Sequence, residues 1–579
     1  MSGLQYKAPG SIGGYLLRHH MTPGERASTA SLQSRTFVNR RQTRTLSGSR
    51  RHRAEQGTGK RMMSDVRHRH AQPRGVVPIR FAPATVFLVV IVVFTAIMRV
   101  ASSGHSLWFD ELASVFFASQ PVARLWSAWM LRETNPPLFY TVLHGWTALA
   151  GLSEVALRLP GILASLAAMA IVHTGIRSHY GHRAAVIATL LMAASAQQFY
   201  FAVQARSYMP LFLAISVSFF GAVGLVQPGP AQRRAWIAFV GGALVGIYLH
   251  TTALLWPAAV TIALMLVDRR YVPLLGDRWR HLLLADVLVL SGSLWWMWIT
   301  VHQMRSPEGN IGWIGHPKAI EVATTFATGT LLAHEPHGWD WLGLVATGAA
   351  AVFGVARTWR NSATRLALAC YVLSALFFLV ANARQPIIID RTVFWLSLFN
   401  IILAAAGLAS IRVRRVRWLA PAVVISLLMP NLAHMILNLQ VEDWRTPVVS
   451  LARQPGAILV VNGEAVSVAV RMACAVDLRM PRCPFPVVTL VTSGPQLDAW
   501  GIGSATPLAQ PVPPGPVFLF RRWCHDPYKL LQTAGMLAGT TPPTSDFSGP
   551  YPYSILTEIP SRTIADHGLL RVATAGPCV

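Results

Sequence analysis

The sequence predicts an all-α polytopic membrane bundle of about eleven transmembrane helices, with amphipathic helices in its first outer loop and a small C-terminal α/β domain outside the membrane. Three observations predict it. Of 579 residues, 53% are hydrophobic and only 13% charged, where a soluble globular chain carries about a quarter charged residues. The apolar runs are about 20 residues long, which suits spanning helices and not barrel strands, whose pattern alternates over about ten. Finally, Lys and Arg gather in alternate short loops between those runs, as they do on the cytoplasmic side of a membrane.

The elements follow in order. Residues 1–80 hold 16 Lys/Arg against 3 Asp/Glu and are rich in Ser and Gly. Such a segment buries too little apolar surface to order itself, so a basic disordered cytoplasmic tail is expected. Anionic lipid headgroups suit it as partners. A blander alternative is that translation begins near Met62 or Met63. No secretory signal peptide is visible: the first apolar run is too long and lacks a cleavage motif, so it stays as a helix.

Residues 81–439 form the expected transmembrane domain. Its eleven spans are predicted at 81–101, 156–177, 183–200, 208–226, 235–250, 252–267, 282–301, 339–357, 364–382, 392–411 and 418–438. With the N-terminus inside, every cytoplasmic loop is basic. Arg177 and Arg183 fall in one, Arg233 and Arg234 in the next, then Arg269, Arg270, Arg278 and Arg280. Arg357, Arg360 and Arg365 follow, and Arg412, Arg414, Arg415 and Arg417 close the series. An odd number of spans places the C-terminus outside. The net charge of +26 is therefore a topology signal, and nucleic acid is not an expected partner.

The first outer loop, 102–155, contains PVARLWSAWMLRE and LFYTVLHGWTALAGL. Both are amphipathic and flanked by Trp, so they are expected to lie flat at the interface. Were 137–151 a span, every later Arg cluster would move outside, and that alternative is rejected. A second outer segment, 302–338, is Gly- and His-rich, with a short helix expected near 318–332. Residues 440–579 are Pro-rich, with strand-like runs at 457–463, 486–491 and 516–522. They are read as a small extracytoplasmic α/β domain. Of the five cysteines, Cys474, Cys483, Cys524 and Cys578 lie there and Cys370 lies in a span. Three pairings are possible in an oxidising compartment; Cys474–Cys483 with Cys524–Cys578 is the one expected.

The chemistry centres on Asp110 and Glu111, in SLWFDELASVFFAS about ten residues past the first span. Carboxylates so near the bilayer core are poorly solvated and more often serve a site than a surface. Neighbouring helix positions point about 100° apart, so one is expected to face a cavity while the other caps, pairs with Arg or holds a metal. A partly dry carboxylate suits general-base work on a hydroxyl or amine. The plainer alternative is an ion pair that anchors the loop to the bundle.

Arg206 and Tyr208, in Gln204-Ala205-Arg206-Ser207-Tyr208, fall at the outer end of two consecutive spans. An Arg there can hold a phosphate with forked hydrogen bonds, or simply snorkel to the interface. Arg391 and His250 lie at outer helix ends too, with Asp390 beside Arg391 to neutralise it. Asn135, Tyr140 and His250 are expected to line the cavity, though a lone His is more often a satisfied structural group. His334-Glu335-Pro336-His337 does not match the helical HExxH spacing and is read as a loop. No Gly-rich phosphate loop or nucleotide fingerprint is present, which fits a donor carried in the membrane.

WFDE in the first outer loop, NPPLFY followed by SEVALRLPG, QARSY at an outer helix junction, and EDWR leading into AILVV together resemble the GT-C glycosyltransferases. The nearer branch is that of bacterial protein mannosyltransferase-like and aminoarabinose transferase-like enzymes. The resemblance is strongest over 105–210 and continues to about 465; the tail and the last hundred residues add nothing to it. It implies an enzyme of the bacterial inner membrane that passes a sugar from a polyprenyl-phosphate donor to an acceptor at the outer face. The acceptor implied is an envelope lipid, a glycan or a protein. By that likeness Asp110 matches the loop carboxylate and Glu111 its partner, and both are given catalytic roles. Arg206 matches the basic position that meets the donor phosphate. Arg391 matches less closely, because IIIDRTVFW departs from more aromatic surroundings. Some relatives use a divalent metal and others do not, and no ligand set in the chain decides it. An inverting transfer is expected.

Two other classes remain open. A transporter or flippase would need polar groups at mid-membrane in broken helices, often in two repeated halves; here the polar candidates gather at the outer rim and no repeat is evident. A non-catalytic scaffold would use the outer domain to bind a partner.

Overall fold

The computed structural model describes residues 83–227, 232–305, 317–492, 516–522, 554–559 and 571–572. The expected disordered tail lies outside them, as do Cys524 and Cys578. The described residues fall in one compact unit.

The chain enters through α1 (Pro83–Ala101), an apolar helix whose side chains are largely exposed. The first outer loop folds as α2 (Phe109–Ala118), a one-turn α3 (Val122–Leu125), a 3-10 turn at Ala128–Arg132 and α4 (Leu138–Ala150). The continuous amphipathic helix expected over PVARLWSAWMLRE is thus two short turns. The break falls at Ser127, whose hydroxyl accepts from the Trp129 N–H at 3.2 Å, a local bond that competes with the helix. At 13 residues α4 is too short to span.

The bundle continues with α5 (Glu154–Tyr180), α6 (His182–Ala194), α7 (Ala196–Ala202), α8 (Tyr208–Val226), α9 (Gln232–Leu249), α10 (Trp256–Val267) and α11 (Trp279–Arg305). After α12 (Ala319–Thr330) come α13 (Trp341–Thr358), α14 (Ser362–Arg384), the short α15 (Asp390–Val393), α16 (Ser397–Ser410) and α17 (Val416–Leu437). Among the described residues, eight helices are long and apolar enough to cross a membrane, or nine if the bent pair α6–α7 is one span. The expected helical membrane bundle is present, and a count by length and composition falls below the about eleven spans expected. All eleven expected positions are helical, but α9 starts with Gln232, Arg233 and Arg234, and Thr251–Val267 is a shorter apolar helix.

The α6–α7 pair bends by 66° at Ser195. That hydroxyl accepts from the Gln198 N–H at 3.1 Å and donates to the Leu332 carbonyl at 2.9 Å, so it caps the new helix and ties it to a distant loop. The segment Asp390–Ser410 lies at the centre of the bundle, 94% buried against 17% for the first span. It meets α13 at Gly354 and Gly407, where a side chain on either would strike the other helix's backbone.

Beyond the bundle, α18 (Arg445–Ala452) leads into β1 (Ile458–Asn462), α19 (Glu464–Asp477), β2 (Val487–Thr492), β3 (Val517–Arg522), β4 (Ser554–Ile559) and β5 (Arg571–Val572). The strand order is β4-β3-β1-β2-β5, with β1 parallel to β2 and β3, β5 parallel to β2 and β4 antiparallel to β3. The three expected strands are present; β4 and β5 were not expected. Ile458 to Val461 are buried, as an interior parallel strand requires. The Cys474–Cys483 disulfide closes the α19–β2 connection, and α19 packs on α2.

Candidate active site

Helix α2 starts at Phe109 because Glu111 satisfies its open N-terminus: its Oε2 accepts from the Trp108 N–H at 3.3 Å. The same carboxylate is gripped by Arg158 of α5, at 2.8 Å from Nε to Oε1 and 2.5 Å from Nη2 to Oε2, with both side chains fully buried. The Ala205 N–H adds a bond of 2.7 Å. Arg158 spends its other donors on the carbonyls of Ser103, His105 and Ser106. Glu111 is therefore the anchoring member of the acidic pair and does not face a hollow. That departs from the catalytic role expected for it. The physical reason is the 100° offset between neighbours, which turns Glu111 into the bundle and Asp110 out of it.

Asp110 is partly exposed, at 21%. Its Oδ2 lies 2.7 Å from Nη1 of Arg391 on α15 and 3.9 Å from Nη2 of Arg206 in the turn before α8. Arg206 also donates to the Asp110 carbonyl at 3.1 Å and the Ser114 hydroxyl at 3.2 Å. The turn bearing Arg206 is pressed against α5: a side chain at Gly161 would come within 2.9 Å of the Ala202 and Gln204 carbonyls. Each guanidinium sits near an aromatic face, Arg391 5.7 Å from the Trp108 ring and Arg206 5.8 Å from that of Tyr208. The Trp108 indole N–H and Arg206 Nε have no hydrogen-bond partner among the described residues.

Asn135 and Tyr140 converge on Glu133, which the sequence reading missed. Oε1 of this buried carboxylate accepts from the Asn135 N–H at 3.0 Å, its amide at 2.7 Å and the Tyr140 hydroxyl at 3.0 Å. Burial pushes the Glu133 carboxyl up, against the opposing pull of Arg206 and these hydrogen bonds. His250 is buried, its Nδ1 accepting from the Thr252 N–H at 3.3 Å, with the Tyr208 ring at 6.0 Å. It is a satisfied structural group in contact with the site's edge. Asp390, beside Arg391, also reaches His334: its Oδ2 lies 3.5 Å from Nδ1 of His334, whose ring stacks on Tyr200 at 3.9 Å.

Of the residues the sequence singles out, the structure brings together Asp110, Arg206 and Arg391, with Tyr208 beside them. Glu133 and Arg158 were missed for different reasons. Glu133 is a lone acid in MLRETNPP, and only its apolar surroundings mark it. Arg158 stands inside SEVALRLPG, but nothing local says that its partner lies 47 residues away. Among the described residues no three His, Cys, Asp or Glu side chains group as a metal site.

The model of the dolichyl-phosphate-mannose-protein mannosyltransferase family matches residues 134–298. That span includes Asn135, Arg158, Arg206 and His250. No curated protein matches the sequence. The crystal structure of ArnT from Cupriavidus metallidurans bound to undecaprenyl phosphate is similar at TM-score 0.54 and 14% identity, covering 85% of this chain and 100% of that one. The same enzyme in the apo state matches at TM-score 0.51 and 16% identity, over 86% and 100%. At such identities the likeness is one of fold. With the family-model match over 134–298, it shows a multi-pass membrane chain that shares the fold of ArnT.

Proposed function

We propose that the protein transfers a sugar from a polyprenyl-phosphate donor to an acceptor at the outer face of a bacterial inner membrane, with inversion at the anomeric carbon. One observation carries this reading: a partly exposed carboxylate, Asp110, between the guanidiniums of Arg391 and Arg206, drawn from three distant parts of the chain. The ArnT structure that shares the fold holds undecaprenyl phosphate, and a phosphate on a lipid tail is the ligand such a pair of arginines suits. The Trp108 indole N–H and Arg206 Nε, which have no hydrogen-bond partner among the described residues, are further donors for it.

In the proposed reaction an acceptor hydroxyl or amine attacks C1 of the sugar from the side opposite the phosphate. The C1–O bond breaks and its electron pair leaves with the polyprenyl phosphate. Asp110 takes the acceptor's proton. The negative charge on the leaving oxygen grows through the transition state, so donation from Arg206 and Arg391 strengthens there and lowers the barrier. Glu111 and Arg158 position Asp110 by fixing the start of α2.

The test is Asp110→Asn expressed in a deletion strain. Folding and membrane insertion should match wild type, while the product, read by mass spectrometry of envelope glycolipids and glycoproteins, falls at least about a hundredfold. Full product from Asp110→Asn would remove the carboxylate from the mechanism. A defined mass difference between the deletion strain and its parent would also identify the sugar and its acceptor.

A further inference from the structure

The EDWR segment joins the bundle to the α/β unit, and its side chains turn back toward the candidate site. Buried Glu442 places one oxygen, Oε2, 2.9 Å from the Phe109 N–H and 2.6 Å from the Trp444 indole N–H. Phe109 is the first residue of α2, directly before Asp110. Ser106, on the approach to α2, accepts at its hydroxyl from the N–H groups of Trp444 at 3.0 Å and Arg445 at 3.2 Å. Trp444 is fully buried, with the Phe109 ring at 6.2 Å on one side and Phe520 of β3 at 4.6 Å on another. Arg445 donates to the Gly104 carbonyl at 3.0 Å and forms ion pairs with Glu154 of α5 and Asp477 of α19. So one four-residue segment holds the approach to α2, the start of α2, the start of α5 and two elements of the α/β unit.

We propose that Glu442 is a positioning residue for Asp110, and that the α/β unit acts through the EDWR segment to hold the first turn of α2 in register with Arg391. This rests on the reading of Asp110 as the reacting carboxylate. The reason is geometric. A charged acceptor on the Phe109 N–H fixes the backbone one residue from Asp110 and satisfies an amide that has no partner within its own helix. Displacing a reacting group by about 1 Å costs on the order of a hundredfold in rate. Holding α2 from the far side therefore acts on turnover more than on ligand binding.

The test uses the full chain in lipid nanodiscs and in the deletion strain, comparing wild type, Glu442→Gln, Trp444→Phe and Asp110→Asn. Three quantities are read: hydrogen–deuterium exchange of the peptide covering 105–112, affinity for undecaprenyl phosphate, and product in cells. Glu442→Gln should speed exchange in that peptide and cut product about tenfold or more while affinity changes less than about threefold. Trp444→Phe keeps an aromatic ring but removes the indole N–H and shrinks a fully buried side chain, and should lose product by about two- to fivefold. It stands in if Glu442→Gln does not fold. Unchanged exchange with full product overturns the proposal. So does a joint fall of affinity, product and thermal stability, which marks a residue that only holds the fold together. Should Asp110→Asn retain product, the site reading falls, and the exchange data still decide whether Glu442 orders the start of α2.

Discussion

Replacing Arg158 by Ala would strand the Glu111 carboxylate where both side chains are fully buried. Breaking such a pair from either side costs about 3–5 kcal/mol, because the remaining charge stays buried without its counter-charge. Arg158→Ala and Glu111→Ala are each expected to lower the melting temperature in detergent sharply, and the double variant by less than their sum. Glu111→Gln should cost less, since an amide oxygen can still accept from the Ala205 N–H. His105 supplies a second expectation, this one in pH. Burial, and then the charge of Arg158, hold its imidazole down to about 4. An unfolded histidine titrates near 6.5. As pH falls between those values the unfolded chain binds a proton that the folded chain refuses. The stability tied to neutral His105 is thus complete above about pH 6.5 and drains away toward about pH 4. After allowance for its partial exposure the loss is about 1–2 kcal/mol. Melting curves of wild type and His105→Gln should lie close together at neutral pH and separate in acid, where wild type loses stability that the non-titrating variant keeps.

At the scale of elements, the turn that carries Arg206 is placed by contact with α5 through Gly161. Gly161→Val should push this turn off its seat, lowering stability by about 1–3 kcal/mol. Undecaprenyl phosphate binding should weaken with it, as titration of the purified protein would show. The sequence carries the helix positions well, because an apolar run of spanning length has few other fates in a membrane. It carries the site's members unevenly. Asp110 and Arg206 stand out as charges beside apolar runs. The Glu111–Arg158 pair does not, since the choice of which acid faces inward depends on helix rotation and on a partner 47 residues away. The bend at Ser195 is likewise hidden: a Ser within an apolar run reads as spanning helix until the Leu332 carbonyl appears beside it. The Cys474–Cys483 bond was legible because its two ends lie 9 residues apart, flanking one helix end. Strands β4 and β5 pair with residues far away in the chain, and neither has a long enough apolar run to announce itself.

For the whole molecule, the proposed orientation puts the α/β unit in an oxidising compartment, which the loops rich in Arg and the Cys474–Cys483 bond would suit. An export-dependent alkaline phosphatase fused after residue 579 should be active, and the same fusion after Arg360 inactive. The reverse pattern would put the Asp110 cluster on the wrong side for an outer-leaflet donor. The burial gradient across the bundle has a consequence of its own. Phe87, Val90, Phe94 and Ile97 of α1 look outward and need only be greasy, since hydrocarbon tails accept one apolar shape as readily as another. The helix α16 touches protein on every side, and Gly407 on it leaves no room for so much as a methyl group. Over evolutionary time, then, drift should run freely around the rim of this protein and stall at its axis.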